Sequence, residues 1–452
     1  MYQGLLRNVL QPVHESLIKR RNVRRYQRLL RSSEWWPPAQ LRAFQHRELS
    51  ALLQHAYHHT PFWRERFRRL RLSPESIRTL SDLKRLPPLE KKDIREHRDS
   101  MVAGHQRNTL WAKSTGGSTG EPVHFYYTAD SYDWRCAATR RGYGWAGAAD
   151  GAPTIHIWGV TLHGHSRLSS AKEALHRRVL RRTLFNAFEF DDRAMERCVR
   201  AINRQKPVAL VGYTSPLVAL ARFVNDGRRL THYPKAVISA AETLFDYQRQ
   251  EIESAFRCRV FNTYGSREFM LIAAECGSGS GLHISAENLI LEVVREDGTP
   301  AEPGEAGEIL ITDLHNFGMP FVRYRIGDVG IAAGEPCRCG RGLPLLQNVL
   351  GRSLDMIRTA TGKALPGEFF PHVMKDFPWV DTFQVVQDSA SSVRIRMVCN
   401  GDRTAESFDE LDRLIAAALG DGIAVRYEFV ADIPLTRTGK RRVTISELAG
   451  TR

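Results

Sequence analysis

KSTGGSTGEP, residues Lys113 to Pro122, decides how this chain is read. A run so dense in Gly, Ser and Thr wraps backbone amides and hydroxyls around an oxyanion, and its natural guest is a polyphosphate. The flanks LWA (110–112) and VHFYY (123–127) read as strands, so the loop joins strand to strand rather than strand to helix. It lacks the Gly-Lys-Ser/Thr ending of a P-loop, so any catalytic cation has to come from elsewhere in the chain. Alone, such a run is more often a flexible surface linker. Its weight comes from the motifs around it.

Beyond the loop, helical text from Asp130 to Ala146 leads into the apolar strand PTIHIWGV (153–160) and a turn holding His163 and His165. PVALVGYTSPLVALARFV (207–224) and KAVISAAETLFDYQRQEIESAFRCRVFNTYGSREF (235–269) each read as buried strand, turn and helix. That alternation belongs to an α/β fold with much parallel sheet. Ligands in such sheets sit beyond the carboxyl ends of the strands, where the turns Tyr213 to Pro216, Ala240 to Glu242 and Tyr264 to Glu268 fall. In the third turn, Tyr264 offers a flat face for an adenine ring and Gly265 allows close backbone approach. Glu268 brings a carboxylate suited to magnesium on a triphosphate. In FVRYRIGD (321–328), Asp328 is an acceptor of the kind a vicinal diol needs, although by itself it reads as an Asp in a hairpin turn. By position, His156, Trp158, Tyr213 and Ser266 line a substrate pocket.

The chain has 452 residues with ordinary apolar content, which points to two domains, and no apolar run approaches the roughly eighteen residues of a membrane span. The start shows no secretory h-region, so the expected location is the cytoplasm. Up to Arg71 there are 15 Lys/Arg against 4 Asp/Glu, a local +11 of the formal +15. The basic character therefore belongs to one end. There, Leu5, Leu6, Val9, Leu10, Val13, Leu17 and Ile18 recur at helical spacing beside Lys19, Arg20, Arg21, Arg24 and Arg25, with Pro12 interrupting. The pattern suits either a helix packing its stripe on the main domain or one lying on an anionic membrane face.

Seven cysteines at irregular positions fit reduced thiols or a metal site better than a disulfide framework. Cys276, His283, Cys337 and Cys339 make a complete tetrahedral set for structural zinc, closed to solvent and hence not catalytic. Scattered reduced thiols beside a surface His are the competing account, since C-x-C is less diagnostic than C-x-x-C.

LLQHAYHHTPFWRERF (52–67) and SDLKRLPPLEKKDIR (81–95) resemble the entry to the phenylacetate-CoA ligase and CapK-like family of the adenylate-forming superfamily. Tyr264-Gly-Ser-Arg-Glu268 is similar to that family's Tyr-Gly-x-Thr-Glu, with Arg267 where Thr is usual, and Tyr324-Arg-Ile-Gly-Asp328 is similar to Tyr-Arg-Thr-Gly-Asp. PLTRTGKRR (434–442) resembles the Pro-x-Thr-x-x-Gly-Lys motif whose lysine, here Lys440, enters the site from the small domain. The resemblance implies ATP bound by Ser114, Thr115, Gly116, Gly117, Ser118, Thr119, Gly120, Ala240, Ala241, Glu242, Tyr264, Gly265, Asp328 and Arg352, with Lys440, Glu268 and Thr119 catalytic. Asp328 then takes the ribose hydroxyls, and residues 239–242 lie against adenine. Branch members with similar Cys/His text add weight to zinc.

The expected fold is α/β, with a large N-terminal domain of mixed sheets and flanking helices plus a small C-terminal α+β domain. The expected parts are a basic helical extension at 1–39, the large adenylate-forming domain at 40–350, and a mobile small domain at 351–452 carrying Lys440. Near the last boundary Leu354 stands where the family has its hinge acid, and the acid falls at Asp355. The implied reaction is AMP-forming: ATP and Mg2+ turn a carboxylic acid into an acyl-adenylate, and CoA or another acceptor takes the acyl group, in a setting that includes cell-surface polysaccharide synthesis. Two other classes stay open, an AMP transferase that forms no thioester and a non-catalytic basic binding protein. No nucleic-acid partner is expected, and peripheral contact of the basic N-terminus with the inner membrane face stays open beside packing on the main domain.

Overall fold

The computed structural model describes residues 4, 6–11, 13–114, 123–159, 177–227 and 230–352. Beyond them it describes 357–358, 364–365, 369–374, 377, 379–399, 404–420, 422–434 and 442–448. The strand pair expected around the Gly/Ser/Thr loop forms: β1 (Trp111–Ser114) and β2 (His124–Tyr127) run antiparallel, with Ser114 opposite His124. The loop itself lies outside the described residues, so its conformation is not part of the architecture below.

Among the described residues the main sheet has 11 strands in the order β10-β11-β12-β13-β9-β8-β7-β6-β5-β3-β4. Its parallel part comprises β3 (Thr154–Trp158), β4 (Arg182–Asn186), β5 (Ala209–Tyr213), β6 (Ala236–Ala240) and β7 (Arg259–Ser266). Every residue of β5 and β6 is buried, which explains their unbroken apolar text: such strands are covered on both faces. Helices α6 (Asp192–Gln205), α7 (Thr214–Asn225) and α8 (Asp246–Phe256) cover one face, and the end of α5 (Ala129–Trp145), at Tyr143 and Ala146, packs on the other. α6 starts where Asp191 accepts from the Ala194 amide at 2.8 Å, an N-cap that satisfies one orphan donor.

β7 is the seam. It runs parallel to β6 and antiparallel to β8 (Met270–Glu275), and from there the sheet is antiparallel through β9 (Leu282–Ile284), β13 (Leu345–Arg352), β12 (Tyr324–Ala332), β11 (Ala306–Asp313) and β10 (Leu289–Val294). Asp328 lies within β12 and not in a hairpin turn. Helices α2 (Pro38–His59), α3 (Pro61–Arg69) and α4 (Lys91–Met101) pack on this half in one apolar cluster that includes Trp63, Phe67, Phe269 and Tyr324. The PPLEK segment ahead of α4 is stitched to β12: the Leu89 amide donates to the Arg323 carbonyl at 2.9 Å, and the Arg325 amide donates to the Leu89 carbonyl at 3.0 Å. Trp63 is fully buried and donates to the Pro320 carbonyl at 3.0 Å. Its truncation to Ala should cost about 3–5 kcal/mol. The helices before residue 102 thus hold the Asp328 strand.

The C-terminal part builds its own sheet, in the order β18 (Ala424–Phe429), β17 (Ser392–Cys399), β16 (Val380–Ser389), β19 (Thr444–Ser446), under helix α10 (Ala405–Leu419). Its core, from Ile357 and Phe370 to Ile415 and Leu419, is separate from the others.

At the N-terminus, two short π-helical turns, Leu6–Leu10 and Val13–Ile18, precede α1 (Val23–Ser33). α1 buries Val23, Tyr26 and Leu30 against α5 (Ala129–Trp145), and Tyr26 stacks on Trp134 with centroids 4.1 Å apart. The apolar stripe before it does not pack as a unit. Leu6 is buried, but Val9, Leu10 and Val13 stay 47%, 41% and 42% exposed, because a wider helical turn breaks the spacing that would align them.

Candidate active site

Five strands end along one edge of the parallel sheet: β4 at Asn186, β3 at Trp158, β5 at Tyr213, β6 at Ala240 and β7 at Ser266. Tyr213 and Ala240 are in register. The rings of Trp158 and Tyr213 meet edge to face with centroids 4.9 Å apart. His156, on the same strand as Trp158, has Nε2 3.2 Å from Thr154 Oγ1, and burial pushes its imidazole down to about 3. It is therefore a neutral lining group near pH 7. Trp158 and Tyr213 thus form an aromatic pair at this edge, with His156 two residues back along β3.

The turns at that edge are bolted together. Ala241 sits in the left-handed region at φ 68°, which swings the backbone sharply out of β6. The Glu242 carboxylate accepts from the Ser215 amide at 2.6 Å, in the first turn of α7. Thr214 and Ser239 hydroxyls lie 2.7 Å apart, and Thr263 donates to the Ser239 carbonyl at 2.7 Å. Gly265 is required by space: a Cβ there would fall 2.5 Å from the Met270 carbonyl oxygen in the β7–β8 hairpin. Ser266 accepts from the Phe269 amide at 3.2 Å and so shapes the turn that presents Glu268.

Glu268 and Asp328 are held reciprocally. The Tyr264 hydroxyl, on β7, donates to Asp328 Oδ2 at 2.7 Å, while the Tyr324 hydroxyl, on β12, donates to Glu268 Oε1 at 3.2 Å. β7 and β12 are separated by three strands, about 19 Å in a flat sheet, so the sheet must curl to bring them together. Both carboxylates are only 6% exposed. Lys113, at the foot of the loop, has its ammonium pKa pulled down by burial and then by the neighbouring Arg135 and Arg267 cations, against the opposing charge of Glu268. Arg267 is exposed. The backbone of Arg352 lies directly opposite Asp328 across β12 and β13, and Ser114 ends β1. Thr115, Gly116, Gly117, Ser118, Thr119, Gly120, the segment Ser353 to Asp355, and Lys440 lie outside the described residues.

Tyr324, Thr214 and Lys113 were not among the residues singled out from the sequence. Tyr324 stands inside the quoted FVRYRIGD, so its motif was visible, but its contact with Glu268 depends on the curl of the sheet.

A second cluster unites Cys276, His283, Cys337 and Cys339, whose donor atoms all lie within 4.8 Å of one another. Cys276 Sγ is 3.5 Å from Cys337 Sγ, and Cys339 Sγ is 3.3 Å from His283 Nε2. Edges of about 3.8 Å are what a tetrahedron with Zn–S near 2.3 Å requires, and the separation is far too long for a disulfide. Amides of Ser278 and Arg341 donate to Cys276 and Cys339. Burial alone would push the Cys337 thiol up, yet donation from the Cys339 backbone and nearby side chains brings it down to about 7. Burial and Arg341 push His283 down to about 4, so its imidazole is neutral, the form that ligates. The set fits a closed tetrahedral ion.

Residues 357–447 match the CapK C-terminal domain family. Protein CapK of Staphylococcus aureus is 25% identical over 394 residues, 86% of this chain and 85% of its own length. Phenylacetate-coenzyme A ligase of Thermus thermophilus is 28% identical over 335 residues, covering 72% of this chain and 73% of its own. The chain is a relative of CapK and of the phenylacetate-CoA ligases. Among solved structures, 2-hydroxyisobutyryl-CoA ligase in the postadenylation state, in complex with R3-HIB-AMP, aligns with a TM-score of 0.72 at 19% identity. That alignment covers 92% of this chain and 91% of the other. An anthranilate CoA ligase in complex with anthranoyl-AMP aligns with a TM-score of 0.52 at 16% identity over 74% of this chain and 65% of the other. The α/β fold with a small α+β C-terminal part is therefore the fold of the adenylate-forming ligases.

Proposed function

We propose that the protein is an AMP-forming ligase that activates a carboxylic acid with ATP to an acyl-adenylate and passes the acyl group to CoA. The observation that carries this reading is the crossed pair, Tyr264 on Asp328 and Tyr324 on Glu268, which fixes two buried carboxylates where β7 and β12 come together. Relatives named as acid-CoA ligases, and solved ligases bound to acyl-AMP, support it. A single acid would serve many purposes; two, one for a diol and one for an ion, suit a nucleoside triphosphate.

The substrate carboxylate attacks the α-phosphorus of ATP, its oxygen forms the new P–O bond, and pyrophosphate leaves with the electron pair. Asp328 accepts from the ribose hydroxyls, and the backbone of Ala240, Ala241 and Glu242 lies against adenine. Lys440 and the hydroxyls and amides of Ser114 through Gly120 stabilise the charge that develops on the phosphates. Glu268, oriented by the Tyr324 hydroxyl, would hold Mg2+, which offsets the charge of departing pyrophosphate when bound. Trp158, Tyr213, His156 and Ser266 line the acid. Cys276, His283, Cys337 and Cys339 would hold a structural zinc that ties β8, β9 and the loop before β13 together, with no open position for chemistry.

The test is acid-dependent exchange of pyrophosphate into ATP across aryl, fatty, amino and sugar acids, with CoA consumption followed in parallel. Sugar acids belong on that panel because a cell-surface polysaccharide setting is part of the proposal. Exchange with some acid together with CoA-dependent turnover is expected. Exchange that never leads to thioester would favour the AMP transferase, and no exchange with any acid would defeat the ligase reading.

A further inference from the structure

The basic charge that the sequence concentrates near the N-terminus is organised by α1 into one surface. Val23, Tyr26 and Leu30 recur at spacings of three and four and face α5. Arg24, Arg28 and Arg31 recur at the same spacing, and on a helix that phase places them on a second stripe beside Arg25. With Arg20 and Arg21 they line an open groove of about 800 Å³. Asp150 is the acid among the lining residues, and it is already engaged by Gln27 at 3.1 Å and Arg140 at 3.5 Å. Arg21 is likewise engaged, by Asp133, whose second oxygen accepts from the Asn22 amide at 2.6 Å. The groove thus keeps a strong net positive charge, contributed above all by Arg20, Arg25, Arg28 and Arg31.

Gln11 also lines the groove, and it belongs to the arm whose neighbours Val9, Leu10 and Val13 are 47%, 41% and 42% exposed. The arm is anchored and not loose: Leu6 is buried, and Glu15 pairs with Arg140. Folding has therefore left three aliphatic side chains in water on the arm whose Gln11 lines the groove with six arginines. Exposed single aliphatics need no explanation, but three on one arm bordering a basic groove match what an anionic bilayer recognises, cations at the headgroups and apolar side chains just below them. Nucleic acid would recruit aromatic rings for stacking, and among the described residues that line the groove there are none.

We propose that the groove of α1 and the arm before it form a docking surface for an anionic lipid bilayer, with Arg20, Arg25, Arg28 and Arg31 on the headgroup phosphates and Val9, Leu10 and Val13 in the interfacial layer. Membrane attachment by this face is peripheral and reversible, because neither the charge nor the aliphatic area alone is enough to hold the protein. It shares no residue with the candidate active site, so its test stands apart from the ligase reading.

The full chain is sedimented with vesicles of phosphatidylcholine alone and with vesicles of equal parts phosphatidylcholine and phosphatidylglycerol. Binding to the anionic vesicles only is expected, and it should fall as salt rises from about 0.1 M to about 1 M and the screening length shrinks from about 10 Å to about 3 Å. Arg25→Gln/Arg28→Gln/Arg31→Gln should lower partitioning roughly a hundredfold, at about fivefold per arginine, while its melting temperature and pyrophosphate release match the parent. Val9→Asp/Val13→Asp should weaken binding and make the remainder more salt-sensitive. The proposal is overturned if the parent ignores anionic vesicles, if the triple variant binds them as the parent does, or if single-stranded RNA is held more tightly than the vesicles.

Discussion

Tyr264→Phe removes one hydroxyl and leaves the ring, which isolates the bond to Asp328. The donor is 2.7 Å from Oδ2, Tyr264 is 8% exposed and Asp328 is 6% exposed. A hydrogen bond to a charged acceptor contributes about 1.5–3 kcal/mol to stability, so that much should be lost. In a unit of roughly three hundred residues unfolding with about 2.1 cal/mol/K per residue, this lowers Tm by about 2–5 °C. The effect on nucleotide binding is smaller, because the hydroxyl is present in free and bound protein alike. What the variant adds is the cost of fixing a carboxylate that is no longer held, about 0.5–1.5 kcal/mol, or a two- to tenfold rise in KM for ATP. kcat should stay within about twofold, since ribose contacts are the same in ground and transition states. Steady-state kinetics and calorimetry on Tyr264→Phe, Asp328→Ala and the double variant test this. If the hydroxyl acts on ATP only through Asp328, the double variant shows the KM of Asp328→Ala alone. Additive KM effects, or a collapse of kcat with KM unchanged, would refute the assignment of Asp328 to the ribose.

Glu268→Gln should chiefly lower kcat and raise the magnesium needed for half activity; activity measured with magnesium and ATP varied independently separates it from the Asp328 variants. Lys440→Ala should slow acyl-adenylate formation roughly a hundredfold or more while ATP binding and Tm stay near the parent, because its charge acts in the transition state. A normal single-turnover rate would remove Lys440 from the chemistry. The purified protein should carry about one zinc per chain, and Cys337→Ser should lower Tm more than it lowers the chemical rate constant. Elemental analysis without metal in freshly purified protein would dismiss that centre.

The sequence determined the local elements and the chemistry they carry. Unbroken apolar runs such as ALVGY and AVISA read as buried strands, and every residue of both is buried in the sheet. Cys276, His283, Cys337 and Cys339 could be grouped because donor type alone restricts what they bind. These are properties of residues and their near neighbours.

Tertiary structure decided the rest, because it depends on which distant side chains meet. Asp328 could be read as a turn residue until β12 paired with β11 and β13, and Tyr324 had no visible role until the curl of the sheet put its hydroxyl 3.2 Å from Glu268. The N-terminal stripe shows the same limit in reverse. Its helical spacing suited either a face packed on the main domain or one laid on a membrane, and in the fold the wide turns of the arm leave Val9, Leu10 and Val13 in water. Periodicity fixes which side chains share a face, while the partner surface alone decides whether that face is covered.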